Sequence, residues 1–206
     1  MIGARRHGAA VRAFFALEPG EAVRAACAEV AGRLRRAPHG EGVRWVRPEG
    51  YHVTLRFLGN VPTETVPELA RAVGEAVADV APFALAPGAA RVFPSPRRPR
   101  VVVLELEPQA PLAELARRVE EAVVDAGLPP ERRAFRAHLT LGRVRGRRVP
   151  DVTGVAAPAS VLPVDEVVLF RSDLGREGST YTALERLPLE GSAASPDAGA
   201  PCTSSP

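Results

Sequence analysis

The chain has 206 residues, of which 46% are hydrophobic and 25% charged, and it carries a formal net charge of +3. These values are typical of a globular protein with a sizeable core. Its two cysteines, Cys27 and Cys202, have the spacing of neither a disulfide framework nor a metal site. No apolar signal core and no stretch long enough for a membrane span occurs, so we expect a cytoplasmic protein without membrane contact. We also expect a monomer.

Hydrophobic periodicity predicts the elements of the first half of the chain. Alternating patterns predict strands at 11–17, 43–46 and 51–57, and helical stripes predict helices at 21–36 and 62–80. Gly59 and Asn60 are expected to end the third strand. Residues 82–93 have the pattern of irregular strand structure.

The second half opens with a proline-rich segment, Phe93–Arg100, that is predicted to be a loop. Three prolines remove the donors that a regular ladder requires. The loop either is a solvated basic surface or faces phosphate, and the candidate RNA contacts are Arg97, Arg98 and Arg100. Strands are predicted at 100–106, 135–141, 164–170 and 180–186, and a helix at 111–126.

One four-residue motif occurs twice, 86 residues apart: His52-Val-Thr-Leu55 and His138-Leu-Thr-Leu141. Each copy lies in a predicted strand, in which residues two apart share a face. The His and Thr of each copy therefore point away from the apolar residues between them. The order strand, helix, connection, His strand recurs in both halves and predicts a duplicated unit.

This duplication predicts an α+β fold of two pseudo-symmetric αβ lobes around a central cleft. Each lobe is expected to have an antiparallel sheet with helices on its outer face. Residues 11–190 form this bilobal domain, 1–10 a flexible leader, and the Gly-, Ser- and Pro-rich segment 191–206 a disordered tail.

Two histidines that face one cleft suit general acid–base catalysis at a phosphate. One imidazole can accept a proton from water while the other donates to a leaving oxygen. Thr54 and Thr140 can donate to phosphate oxygens from the same faces. A metal site needs a third ligand, and only Glu49, across a turn from the first motif, is close, so we expect no metal and no cofactor. Half-buried structural histidines would explain one motif but not the matched pair.

Two arginines could neutralise charge on a bound phosphate. Arg56 follows His52 by four residues and shares its face in a regular strand. Arg143 follows His138 by five residues, which is the wrong parity for a flat strand. It reaches the cleft only through a bulge at Gly142 or around the strand end.

The paired motifs resemble those of the two-histidine phosphoesterases. Six segments are similar to the RNA 2′,3′-cyclic phosphodiesterase branch, also called 2′-5′ RNA ligase, and appear in the same order over about residues 11–189. They are 12–17, 43–46, 55–59, 93–100, 135–143 and 169–172. The family often has Pro where this chain has Ala137, and Ala where it has Gly142.

The resemblance implies metal-independent hydrolysis of RNA 2′,3′-cyclic phosphate to a 2′-phosphate, with joining or cleavage of 2′-5′ linkages as the related reaction. It implies that His52 and His138 are catalytic, and that Thr54, Thr140 and Arg143 hold the phosphate. Two alternatives stay open: a non-catalytic module that binds RNA ends or nucleotides, and an enzyme for small cyclic nucleotides.

Overall fold

A computed structural model describes residues 9–146, 148–175 and 178–192. Most of the expected leader and tail, 1–10 and 191–206, lies outside the described residues. Of the flanking residues that are described, Ala10 belongs to the first strand, and the Gly191 N–H donates to the Val80 carbonyl at 3.0 Å.

The described residues form nine strands and three α-helices. Helix α1 has the bounds that the sequence predicts, and its predicted stripe of Val23, Cys27, Val30 and Leu34 is buried. The elements in chain order are β1 (Ala10–Leu17), α1 (Glu21–Arg36), β2 (Val43–Trp45), β3 (Val53–Pro62), α2 (Val66–Val77), β4 (Phe83–Ser95), β5 (Arg98–Glu107), α3 (Gln109–Asp125), β6 (His138–Val144), β7 (Leu162–Val164), β8 (Glu166–Gly175) and β9 (Gly178–Pro188).

The strands form two antiparallel sheets, which confirms the predicted α+β class. One sheet has the order β3-β1-β8-β9 and the other β2-β6-β5-β4-β7. The sheets do not coincide with the two halves of the chain. Strand β2 crosses into the sheet of the second motif, while β8 and β9 return to the sheet of the first.

The helices connect the two sheets through a shared core. Helix α1 follows β1 but packs against β2 and β6 of the other sheet, and α3 follows β5 but packs against β3. A continuous cluster of buried apolar residues from both sheets and all three helices results. No described helix has the length and apolar character that a bilayer span requires.

Two predicted boundaries in the sheets are wrong. Strand β3 does not end at Gly59 and Asn60 but continues to Pro62, because Gly59 adopts a positive φ of 75° within a bulge and keeps its pairing with Ala13. The dipeptide therefore bends a strand that remains paired.

The proline-rich segment is a tight hairpin of β4 and β5 and not a loop, with its turn at Pro96 and Arg97. Pro94 and Pro99 are register partners, so their missing donors fall on a single pair and the ladder continues on both sides.

Candidate active site

The two motif histidines lie at corresponding places, His52 just before β3 and His138 at the first position of β6. Each ring is fixed by the same local hydrogen bond. Nδ1 of His52 donates to the Gly50 carbonyl at 2.8 Å, and Nδ1 of His138 donates to the Arg136 carbonyl at 2.7 Å. A carbonyl only accepts, so Nδ1 must carry the proton. Nε2 of each neutral ring is therefore left as the basic nitrogen.

A matching bulge follows each motif. In the first, Ala16 pairs with Thr54 and Phe15 with Arg56, so Leu55 is the extra residue. In the second, Val103 pairs with Thr140 and Val102 with Gly142, so Leu141 is the extra residue. A bulge changes the parity of every later residue in the strand. Position five after each histidine therefore shares the face of the histidine and the threonine.

This parity change decides which charged residue faces the cleft. Arg143, five residues after His138, lies on the cleft face, as the predicted bulge requires, although the extra residue is Leu141 and not Gly142. The corresponding residue after the first motif is Phe57, which is 36% exposed and stacks under the Arg12 guanidinium at 4.4 Å. An unbroken strand alternation would place Phe57 on the opposite face, so the sequence alone does not predict Phe57 at the cleft.

Arg56 lies on the core face, so the prediction that it shares the face of His52 is wrong. Its residue is only 7% exposed, and its guanidinium donates to the Phe57 and Pro129 carbonyls. It forms an ion pair with Glu120 on α3, and Glu131 lies 3.9 Å away. Arg56 thus joins β3 to α3 and to the segment after it, out of reach of a phosphate in the cleft.

The threonines of both motifs remain on the predicted faces. Thr54 and Thr140 are half-buried and flanked by buried core residues. Within the described part of the chain, neither hydroxyl forms a hydrogen bond to another protein group. Both hydroxyls are therefore available to a ligand.

Aromatic rings surround the histidines unequally. The His52 ring packs between Phe14 and Tyr181, with centroid distances of 4.9 and 4.8 Å. The His138 ring meets one ring, that of Phe93, at 5.4 Å. Tyr181 comes from β9, more than 120 residues after His52, so no local sequence signal could have placed it at the site.

Burial lowers the pKa of both histidines. Burial lowers the pKa of His52 to about 4, opposed by its hydrogen bond to the Gly50 carbonyl, and the charges of Arg143 and His138 lower it further. Burial is also the main cause of the lowered pKa of His138, and the positive charges of Arg136 and Arg143 lower it further. Arg143 acts on both rings, so the two histidines and this guanidinium share one electrostatic environment. In the free protein, burial therefore favours the neutral form of both rings.

The three arginines of the β4–β5 hairpin, Arg97, Arg98 and Arg100, are all exposed. They belong to the same hairpin as Phe93, whose ring contacts that of His138. In the described ranges, no three His, Cys, Asp or Glu side chains cluster in a way that could hold a metal ion.

Comparison with known proteins identifies the family. A model of the LigT-like phosphoesterase family matches residues 17–103 and 104–181. An RNA 2′,3′-cyclic phosphodiesterase of Methanothermobacter thermautotrophicus is 34% identical over 181 residues, which cover 85% of this chain and 97% of that protein. One from Thermus thermophilus is 34% identical over 187 residues, covering 88% and 91%.

Comparison with solved structures gives the same family as the comparison of sequences. The crystal structure of a Thermus thermophilus protein matches with a TM-score of 0.78 at 29% identity, covering 88% of this chain and 100% of the other. Escherichia coli LigT complexed with 3′-AMP matches with a TM-score of 0.73 at 26% identity, covering 88% and 99%. The resemblance noted from the motifs is confirmed, and the chain belongs to the LigT-like phosphoesterase family.

Proposed function

We propose that this protein hydrolyses the 2′,3′-cyclic phosphate at the end of an RNA strand to a 2′-phosphate, with His52 and His138 as the acid–base pair. The observation that carries the proposal is the matched presentation of two Nε2 atoms. In both lobes a backbone carbonyl holds Nδ1–H, and a bulge after the threonine brings the residue five positions after the histidine onto the face of the histidine and the threonine. The family relatives named as RNA 2′,3′-cyclic phosphodiesterases support the choice of substrate.

The reaction requires one proton to be removed and one to be supplied. One imidazole Nε2 accepts a proton from water as the water oxygen bonds to phosphorus. The other, protonated imidazole donates to the ribose 3′-oxygen as its bond to phosphorus breaks. Afterwards the two rings have exchanged protonation states, and proton exchange with solvent restores them.

Charge at the phosphate is balanced by groups on the cleft faces. Thr54 and Thr140 donate hydrogen bonds to the non-bridging oxygens, and the Arg143 guanidinium neutralises the charge that builds up there. The bound anion also raises the pKa of both histidines, which opposes the effect of burial. One ring can thereby hold the proton that the leaving oxygen needs.

The same groups support transesterification at 2′-5′ linkages, in which a ribose hydroxyl replaces water as the nucleophile. We include this as a second reaction of the same site. Two intact histidines whose Nδ1 atoms are held by backbone carbonyls and whose Nε2 atoms bond to no group in the described part of the chain argue for turnover over a purely binding role.

The test is incubation of the protein with an RNA oligonucleotide that ends in 2′,3′-cyclic phosphate, in excess EDTA. We expect the cyclic end to open and the product to be the 2′-phosphate isomer. A 3′-phosphate product, or turnover only after addition of Zn²⁺ or Mn²⁺, would contradict the proposal. A bound but unconverted oligonucleotide would support the binding module.

A further inference from the structure

A small hydrophobic cluster lies apart from the main core, on the cleft side of the sheet β3-β1-β8-β9. Phe14 and Ala16 of this cluster alternate along β1 with Phe15 and Leu17, which belong to the main core. Ala16 is the register partner of Thr54, so the cluster shares the cleft face of the first motif. The cleft-side cluster consists of Phe14, Ala16, Val168 and Phe170, with Tyr181 packed against it.

The imidazole of His52 forms a triangle of rings with Phe14 and Tyr181. Its centroid lies 4.9 Å from that of Phe14 and 4.8 Å from that of Tyr181, and the last two are 5.2 Å apart. The Tyr181 ring meets the other two nearly edge-on, at 77° and 78°. Such aromatic contacts depend on orientation. The hydrogen bond of Nδ1 fixes one atom of the imidazole, and the two ring contacts fix its plane.

Tyr181 reaches this triangle across an intervening strand. Strand β8 separates Tyr181 on β9 from Phe14 on β1. Neighbouring strands lie about 4.8 Å apart, so the ring must lean across β8 to contact Phe14. The register partner of Tyr181 on β8 is Ser172, whose small side chain leaves room for this. In the described ranges the Tyr181 hydroxyl forms no hydrogen bond with another protein group, so the ring makes the contacts.

The second histidine has no such triangle. Among the described aromatic rings, His138 meets only Phe93, at 5.4 Å, and the Phe93 ring also carries the Arg136 guanidinium at 4.0 Å. The triangle is therefore a feature of the first lobe and does not follow from the duplicated motif. Its two carbon rings exclude water from His52, in agreement with burial as the main cause of the low pKa of this histidine.

We propose that Tyr181 is a positioning residue for catalysis. Together with Phe14, its ring holds the His52 imidazole in one orientation and keeps water from it, so that Nε2 is directed into the cleft before the substrate binds. A misplacement of a reacting group by about 1 Å can lower the rate roughly 10²-fold. The inference rests on the proposed function where turnover is measured, but the state of the His52 ring is measurable in the free protein.

The test compares two replacements of Tyr181 in the folded protein. Tyr181→Phe keeps the ring, so its kcat on cyclic-phosphate RNA should stay close to that of the wild type. Tyr181→Ala removes the ring and should lower kcat by about 10- to 100-fold. KM should change much less, because Thr54, Thr140 and Arg143 still hold the phosphate.

Phe83→Ala is the matched control. Phe83 is also a half-buried aromatic residue in a strand, but it packs against the main core from β4. This variant should unfold more easily than the wild type and keep its kcat.

The NMR titration of the His52 ring reports on water exclusion without any substrate. Tyr181→Ala exposes one side of the imidazole, so the pKa of His52 should rise toward the ordinary value of about 6.5. It should stay low in Tyr181→Phe and Phe83→Ala. The charges that act on His52, those of Arg143 and His138, are the same in all variants. The His52 signal is identified by its loss in His52→Gln.

Tyr181→Leu keeps apolar bulk and serves if the alanine variant does not fold; it should show the same changes to a smaller extent. An equal loss of kcat in Tyr181→Phe and in the ring-deleting variant would overturn the inference, because the hydroxyl would then be responsible. An unchanged His52 titration in the folded ring-deleting variant would also overturn it. If the titration shifts as expected but the wild type opens no cyclic phosphate, the proposed function fails and the positioning of His52 stands.

Discussion

Arg56→Ala and Arg143→Ala should have opposite effects, because the bulges after the two motifs place these arginines on opposite faces of their strands. Arg56→Ala deletes two hydrogen bonds to backbone carbonyls and leaves Glu120, whose side chain is 28% exposed, without its cation. Removing one partner of a fully buried ion pair costs about 3–5 kcal/mol. The partial exposure of Glu120 reduces this, so we expect a loss of about 2–3 kcal/mol.

For a chain of this size, such a loss lowers Tm by roughly 4–12 °C. Urea unfolding should show a lower midpoint, while kcat/KM on cyclic-phosphate RNA stays within about twofold of wild type at a temperature where the variant is folded. Arg143→Ala should keep its unfolding midpoint and lose about 10- to 100-fold in kcat/KM, the usual value of a hydrogen bond to a charged group. An Arg56→Ala protein that keeps its stability but loses activity would refute the assignment of faces.

Three further predictions test the electrostatics and the packing of the site. The folded state lowers the pKa of His52 from 6.5 to about 4, so the unfolded chain binds more protons between these values and stability falls as the pH drops through this window. In urea unfolding at several pH values, His52→Gln should remove up to roughly 3 kcal/mol of this fall, and an unchanged pH dependence would contradict the low pKa. KM for RNA should rise with salt, and replacing Arg97, Arg98 and Arg100 by Ala should decrease the logarithmic slope by about 0.7 for each phosphate that these side chains neutralise; an unchanged slope would exclude their binding to the RNA backbone. Gly142→Ala should lower the free energy of unfolding by about 1–3 kcal/mol, because the new Cβ would lie 2.5 Å from Val43 Cγ1. An unchanged unfolding midpoint would contradict this and show that β2 can move to accommodate the methyl group.

The sequence predicts the elements that depend on local periodicity. The apolar stripe of α1 predicts the helix correctly. The helix ends at Arg36 because Ala37, the residue before Pro38, adopts an extended conformation. The duplicated motif predicts two antiparallel sheets, and both are present. The crossing of β2 into the second sheet depends on long-range pairing with β6, for which no local signal exists.

The site is predictable only as far as the strand alternation is unbroken. His52 and Thr54 precede the first bulge and their predicted face is correct, whereas Arg56 follows it and its predicted face is wrong. The bulge depends on the pairing with β1 and has no signature at Leu55 itself. Tyr181 reaches His52 only because β9 joins the first sheet through β8.

The most direct test of the two-histidine mechanism is the turnover of cyclic-phosphate RNA by His52→Ala, His138→Ala and the double variant, each shown to be folded. Each single replacement should lower kcat by about 10²–10⁴, the usual contribution of one positioned acid or base. The double replacement should cost less than the product of the two, because the histidines act as a unit. Near wild-type turnover by either folded single variant would contradict the mechanism.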